Sequence, residues 1–255
     1  MLPFTVNLVA ALAAVTFLRP SIAHPTTEYK RAANVIRDCV EPNAVALTFD
    51  DGPYIYMEDI CNTLEAAGAV GTFFVNGNNW VCIYDDDAAN RVKYAYAHGH
   101  QLASHTWRHA NLTQLGWDDM HSEFWRVEDA LLKIIGVMPA FVRPPYGLYN
   151  DLVREVAGLR GQTIILWDFD SGDTVGLPVD QQIQQYGQVS QSRPVNLLPI
   201  NHETSETTAH EVIPYALNVL KSAGYKFVTL AECLGMPAYQ FVIPPAQRDA
   251  SWTCS

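Results

Sequence analysis

The sequence predicts an α/β fold, a mainly parallel sheet covered by helices and rolled into a (β/α) barrel, with a doubly wound open sheet as the alternative. Strand-like and helix-like segments alternate about seven times, the pattern of a parallel sheet with helical crossovers. No linker or composition break interrupts roughly 220 residues, which suits one barrel somewhat short of eight ideal units. Polar residues also gather where the strand-like segments end, and in barrels and open α/β sheets alike that is the functional face.

Taken in order, "AVALTF" (44–49) is a short apolar run ending in turn residues, a buried strand. The helix-like 55–68 follows and closes on a glycine. "VGTFFVN" (70–76) is the second strand, 88–99 a helix, and "HQLASH" (100–105) the third strand. In 117–136, Trp117, Met120, Phe124, Val127, Leu131 and Ile134 recur every three or four positions, one face of a helix. The pattern repeats through "AFVRPPYG", 150–159, "TIILWDFD", 179–190, "VNLLPINHE", 210–224 and "YKFVTL". No glycine fingerprint follows a strand, so nucleotide binding has no support.

Residues 3–18 are apolar, and "SIA" at 21–23 places small residues where signal peptidase cuts. Residues 1–23 are therefore expected to be a signal peptide, although the segment lacks an early Lys or Arg; the alternative is an N-terminal core helix. The run is short for a membrane span, and no second one follows, so a soluble, secreted mature protein is expected. Lys30-Arg31 suggests a processed pro-segment over 24–31 or simply two exposed charges. The remaining 32–255 would be one catalytic domain.

Hydrophobic residues make up 49% of the 255, enough for a full core. Beyond residue 31 there are 13 basic against 26 acidic residues, which argues against nucleic acid, since phosphate binding needs a basic face. The five cysteines, Cys39, Cys61, Cys82, Cys233 and Cys254, are too scattered for a zinc cluster and should pair in a secreted chain, with one left over. "NLT" at 111–113 is an N-glycosylation acceptor if the chain is secreted.

The site residues begin with "VALTFDDGP" (45–53). Asp50 and Asp51 adjoin, and neighbours on a strand face opposite ways. A turn that brought both into one cleft would need a cation to offset their repulsion; otherwise Asp-Asp-Gly-Pro is a solvated turn. His105 and His109 in "SHTWRHANL" are spaced to share a cation if they lie on one helical turn. With a carboxylate they form a His-His-Asp set that leaves open positions. Arg143, Asp170, Asp173 and His202 lie at further strand ends. Asp173 can otherwise be read as a helix cap, and His98, His100, His121 and His210 as structural or exposed. Trp80, Trp107, Tyr146 and Trp167 could form a sugar-stacking wall or serve as core aromatics.

"TFDDGP", "SHTWRH", "RPPYG", "DSGD" and "PINH", in that order over about residues 39–235, resemble the motifs of the polysaccharide deacetylase family (carbohydrate esterase family 4, the NodB homology domain). The single-module layout most resembles the fungal chitin deacetylases. The resemblance implies a distorted (β/α) barrel in a single domain. It also implies zinc, or another divalent cation such as cobalt, held by Asp51, His105 and His109. Asp50 would be the general base and His202 the general acid. Arg143 would orient Asp50, Asp173 would tune His202, and the Tyr146 N–H would help hold an oxyanion. The implied reaction is hydrolysis of N-acetyl groups of chitin or chito-oligosaccharides by a monomer. The alternatives are an O-acetyl xylan esterase and an inert secreted glycan-binding protein. The family also suggests Cys39–Cys233, with Cys61–Cys82 as a looser pairing and Cys254 unpaired. Two departures stand out: Thr174 follows Asp173 where the family usually has Trp, and Ile200 replaces Leu before His202.

Overall fold

The structure is a computed structural model that describes Met1 and residues 32–255. The expected signal peptide and pro-segment lie outside these residues, Met1 apart. In chain order the strands and helices are β1 Val35–Ile36, β2 Ala44–Val45, β3 Thr48–Gly52, α1 Met57–Ala66, β4 Thr72–Val75, α2 Asp86–Ala97, β5 Gln101–Ser104 and α3 Trp117–Ile135. They continue with β6 Val137–Pro139, β7 Phe141–Val142, α4 Asp151–Leu159, β8 Thr163–Ile165, β9 Phe169–Asp170, α5 Val179–Ser192 and β10 Pro199–His202. Last come α6 Ile213–Ser222, β11 Lys226–Phe227, α7 Leu230–Leu234 and β12 Tyr239–Val242.

Eight strands form one sheet in the order β1-β8-β7-β5-β4-β3-β10-β9, and every pairing in it is parallel. The edge strands β1 and β9 are not hydrogen-bonded to each other. The sheet is thus a curled half-barrel, the distorted barrel expected, in a single α/β domain. Alternation along the strands divides the core. Phe74, Ala103, Phe141 and Ile165 pack inside with Ala46, Leu198 and Leu230. Their neighbours Phe73 and Leu102 turn outward onto the helices with Phe49, Ile60, Val127 and Leu217, and Val142 and Ile164 meet Phe124 and Val156. Strands buried on both faces read as continuous apolar runs for this reason.

The helices follow the sequence signals. On α3, Met120, Phe124, Val127, Leu131 and Ile134 are buried, whereas Trp117 at its start is 43% exposed. The helix stops at Gly136, left-handed at φ 74°. Asn150 caps α4 by accepting the Val153 N–H, and Thr229 and Glu232 form a capping box on α7. The helix expected over 210–224 is a π-helical turn, Thr208–Val212, leading into α6. Four elements were not anticipated: the edge strand β1, α7, and the antiparallel pair of β6 and β12.

Cys39 and Cys233 are joined as the resemblance implied. The Cys61–Cys82 pairing is wrong, because Cys82 is bonded to Cys254 and Cys61 is a buried free thiol. Cys61 lies on the core face of α1 with Ile60 and Leu64. Cys254 instead is carried to Cys82 by a C-terminal segment anchored on buried Trp252.

Gly136 combines a positive φ with crowding, since a Cβ there would lie 1.9 Å from the Ile243 carbonyl oxygen. Gly136→Ala should therefore destabilise the fold by about 1–3 kcal/mol. Thermal melts of the two proteins test this, and coincident curves would mean the segment yields freely.

Candidate active site

The strand ends converge on a cleft of about 460 Å³ lined by Asp50, Asp51, His105, His109, Tyr146, Trp167 and His202, among others. Its first feature is a bulge. On β3, Asp50 is in register with Phe74 and Gly52 with Val75, so Asp51 is the extra residue. Asp51 takes φ 74°, a left-handed conformation that Asp tolerates better than most residues. The bulge brings both carboxylates to one cleft, which an unbroken strand would not do.

Gly52 belongs to the same device. A Cβ there would lie 2.1 Å from Glu203 Oε1. Glu203 is fully buried and accepts the Tyr54 N–H at 2.6 Å. Burial pushes its carboxyl well above the usual range, which favours the protonated form.

Asp50 is 1% exposed. Arg143, 0% exposed, donates from Nη1 to Asp50 Oδ1 and to Thr48 Oγ1, both at 2.7 Å. Its Nη2 donates to the Leu166 carbonyl at 2.9 Å. Burial would raise the Asp50 carboxyl, but the charge of Arg143, with that of His202 and the Arg143 hydrogen bond, outweighs it and holds it below the ordinary value. Asp50 is thus ionised, with Oδ1 fixed by Arg143.

His105 follows directly on β5, and its Nδ1 is 2.7 Å from the Arg143 carbonyl. A carbonyl only accepts, so Nδ1 carries the proton and Nε2 keeps its lone pair. That Nε2 lies 3.6 Å from Asp51 Oδ1, and His109 Nε2 lies 3.4 Å from the same oxygen. The two histidines do not share a helical turn, because residues 105–109 form a loop with Thr106 at φ 70° and His109 at φ 55°. Asn76, buried at the end of β4, secures this loop by donating from Nδ2 to the carbonyls of His105 and Thr106.

Donor atoms of Asp51, His105 and His109 all lie within 4.8 Å of one another. Burial lowers both imidazoles, leaving them neutral, as metal ligands must be. Burial and Asp50 raise Asp51, a repulsion that a cation between the groups would remove. Two neutral imidazoles, one backed by a carbonyl, and a carboxylate fit a divalent cation such as zinc.

Across the cleft stands His202, the register partner of Asp50 on neighbouring β10. Asp173 Oδ1 holds its Nδ1 at 2.8 Å, and Asp173 Oδ2 accepts the His202 N–H and the Thr208 hydroxyl. Burial opposes the imidazolium, but the Asp173 bond and charge, with Asp50 and Asp51, carry its pKa up to about 9. Asp173 therefore grips His202, and the helix-cap reading falls away.

Tyr146, left-handed at φ 60° and 63% exposed, packs edge-on against His109. Trp167 lines the cleft beside Gly147, while Trp80 is 57% exposed at the rim against Tyr54. Trp107 is not part of a sugar wall: it is 1% exposed, packed under Gly77 with Arg126 4.0 Å from its ring. Exposed Asp170 lines the cleft with Thr174 and Val175. The off-motif histidines do not line it. Asn76, Asn79, Thr48, Glu203 and Thr208 were not anticipated; Asn76, at a strand end, was open to the reasoning that found His105.

The fold and site define a protein of the α/β half-barrel class whose cleft sets a three-donor cluster between a separately held carboxylate and imidazole. The chain belongs to the polysaccharide deacetylase family: the family profile described as "Polysaccharide deacetylase" matches residues 37–165. A chitin deacetylase of Pestalotiopsis sp is 34% identical over 89% of this chain and 77% of that protein. One from Arthroderma benhamiae is 33% identical over 82% of this chain, which spans only 57% of that relative's length. The solved structure of the chitin deacetylase from Colletotrichum lindemuthianum superposes with a TM-score of 0.78 at 27% identity, covering 87% of this chain and 99% of that one. Among the described residues no helix is long and apolar enough to cross a membrane.

Arg143→Ala would leave Asp50 buried without its cation, a change costing about 3–5 kcal/mol. Because Asp50 is held low in the folded state, its contribution is present above the usual carboxylate range and is lost as pH falls through the folded value. The stability gap between wild type and variant should narrow on acidification. Denaturant titrations at several pH values measure it, and a constant gap would contradict the pairing.

Proposed function

We propose that the protein is a secreted, metal-dependent deacetylase that hydrolyses N-acetyl groups of chitin or chito-oligosaccharides, releasing acetate and leaving glucosamine units. The observation that supports it most is the pairing of Asp50 and His202 on adjacent strands, each held through one atom by a buried partner and flanking the Asp51-His105-His109 cluster. A divalent cation on that cluster, zinc or cobalt, supplies Lewis-acid polarisation of the acyl oxygen and acidifies water.

The chain's own groups do the remaining work. Asp50 takes the proton of the attacking water on Oδ2, since Arg143 occupies Oδ1. The Tyr146 backbone N–H steadies the charge on the acyl oxygen, a contribution of about 3–4 kcal/mol for one such donor. Protonated His202 gives its Nε2 proton to the leaving nitrogen, and Asp173 keeps the ring aligned for that transfer. Asp50 is thus general base, His202 general acid, and Arg143 and Asp173 positioning residues. An inert glycan-binding protein would have no need to keep Asp50 buried and ionised. Removal of residues 1–23, N-glycosylation at Asn111 and a monomeric state belong to the same reading.

Acetate release from chitotetraose, lost with EDTA and restored by zinc, is the expected result; no release from chitin oligomers, acetylxylan or peptidoglycan with metal bound would refute it, and preference for acetylxylan would favour the esterase. Asp50→Asn should keep its zinc and lose about 10²–10⁴ in turnover, whereas His105→Ala should lose zinc itself. A second expectation concerns pH. The His202 acid must be protonated, so activity should fall as pH rises toward about 9, or somewhat below because a nearby dication opposes the imidazolium. Asp173→Asn removes the charge that raises His202, so the alkaline limb of kcat should move to lower pH. A limb that stayed in place would remove His202 from the acid role.

A further inference from the structure

Residues 243–255 follow β12 and cross the molecule to the loop that leaves β4. The Ile243 N–H donates to the Gly136 carbonyl and the Ala246 N–H to the Lys133 carbonyl. Arg248 donates to the Tyr84 carbonyl and pairs with Asp86 at 2.8 Å. Trp252, 7% exposed, packs on Tyr84 with Arg248 over its ring. The segment then closes with the Cys82–Cys254 disulfide, across a sequence separation of 172, and Cys254 Sγ sits 3.4 Å from the Gly77 carbonyl.

The loop it grips, 77–84, touches the site. Asn79 Nδ2 is 3.4 Å from Asp51 Oδ1 and 3.2 Å from Asn76 Oδ1. Trp80 packs on Tyr54 at the rim. The tip, Asn78 to Trp80, is exposed. The loop's backbone is held by bonds from Gly77 to the Thr106 and Trp107 carbonyls, from Asn78 to the Trp107 carbonyl, from Ile83 to Gly77 and from Asp85 to Cys82, and by one bridge between Asn78 and Cys82; Ile83 and Tyr84 at its end are buried. The exposed tip, Asn78 to Trp80, has the fewest of these anchors, and such a segment opens easily unless something else restrains it.

We infer that the C-terminal strap, through Trp252, Arg248 and the Cys82–Cys254 bond, is a clamp that positions Asn79 and Trp80 at the Asp51 side of the cleft and so sets how tightly substrate is held. The clamp acts through the loop, and its residues are positioning residues far from the reacting atoms. The inference rests on the deacetylase reading only for what fills the cleft.

Cys82→Ser/Cys254→Ser tests it, alongside Trp252→Ala with the disulfide intact. A third arm is wild type under mild reductant, which should open half-buried Cys82–Cys254 before Cys39–Cys233, buried at 3% and 0% exposure. Should the double variant misfold, the other two arms decide. Amide exchange over 77–84 should quicken by about tenfold or more, while exchange in the strands around Cys39–Cys233 stays put. KM for chitotetraose should rise several-fold with kcat within about twofold. Unchanged exchange in the loop, or quickening spread evenly over the domain, would overturn the clamp. If exchange responds but the wild type releases no acetate from any glycan, the clamp stands and the functional reading fails.

Discussion

A single buried guanidinium organises the cleft. The Arg143 side chain binds Asp50, Thr48 and the Leu166 carbonyl, while its own carbonyl receives the His105 ring. One residue thus fixes a carboxylate oxygen on β3 and the tautomer of an imidazole just after β5. Its Cζ rests 4.2 Å from the centre of the Phe74 ring, and of its nitrogens buried Nε is left without a hydrogen-bond partner. Fully desolvated charge is costly unless partnered, and here the partner is Asp50, which the pairing keeps ionised. Pro144 and Pro145 stiffen the chain just beyond it.

The sheet supplies the rest of the precision. Side chains that alternate inward and outward fill the half-barrel and the helix-facing core, leaving the strand ends as a rigid rim. Each polar group at that rim is held by a neighbour: His202 by Asp173, the 105–109 loop by Asn76, and the Asp51 bulge by close packing of Gly52 on Glu203. Sites built on such supports keep their geometry before any ligand arrives.

Much of this was legible in the residues. Alternating apolar segments gave the parallel α/β class, and carboxylates, imidazoles and an arginine at strand ends marked one face. The less legible features depend on distant contacts. That Asp50 and Asp51 share a cleft follows from a bulge, a matter of pairing with β4. The His105–His109 spacing suggested a helical turn, but backbone bonds to Asn76 hold a loop instead. Trp107 was open to either a sugar-stacking or a core reading, and its packing beneath Gly77 decides for the core. Cysteine spacing does not encode connectivity, and the bond to Cys254 depends on where Trp252 buries. Short β12 carries no pattern strong enough to stand out from a tail.

The register between β3 and β10 has an evolutionary corollary. Because Asp50 and His202 are matched across one pair of parallel strands, their spacing is dictated by backbone ladder dimensions, about 4.8 Å between strands, rather than by any loop. Loops around the rim, including the one where Thr174 and Val175 stand open to solvent, are free to diverge in length and composition without altering the spacing of that pair. Such a scaffold separates what is recognised from how it is cut.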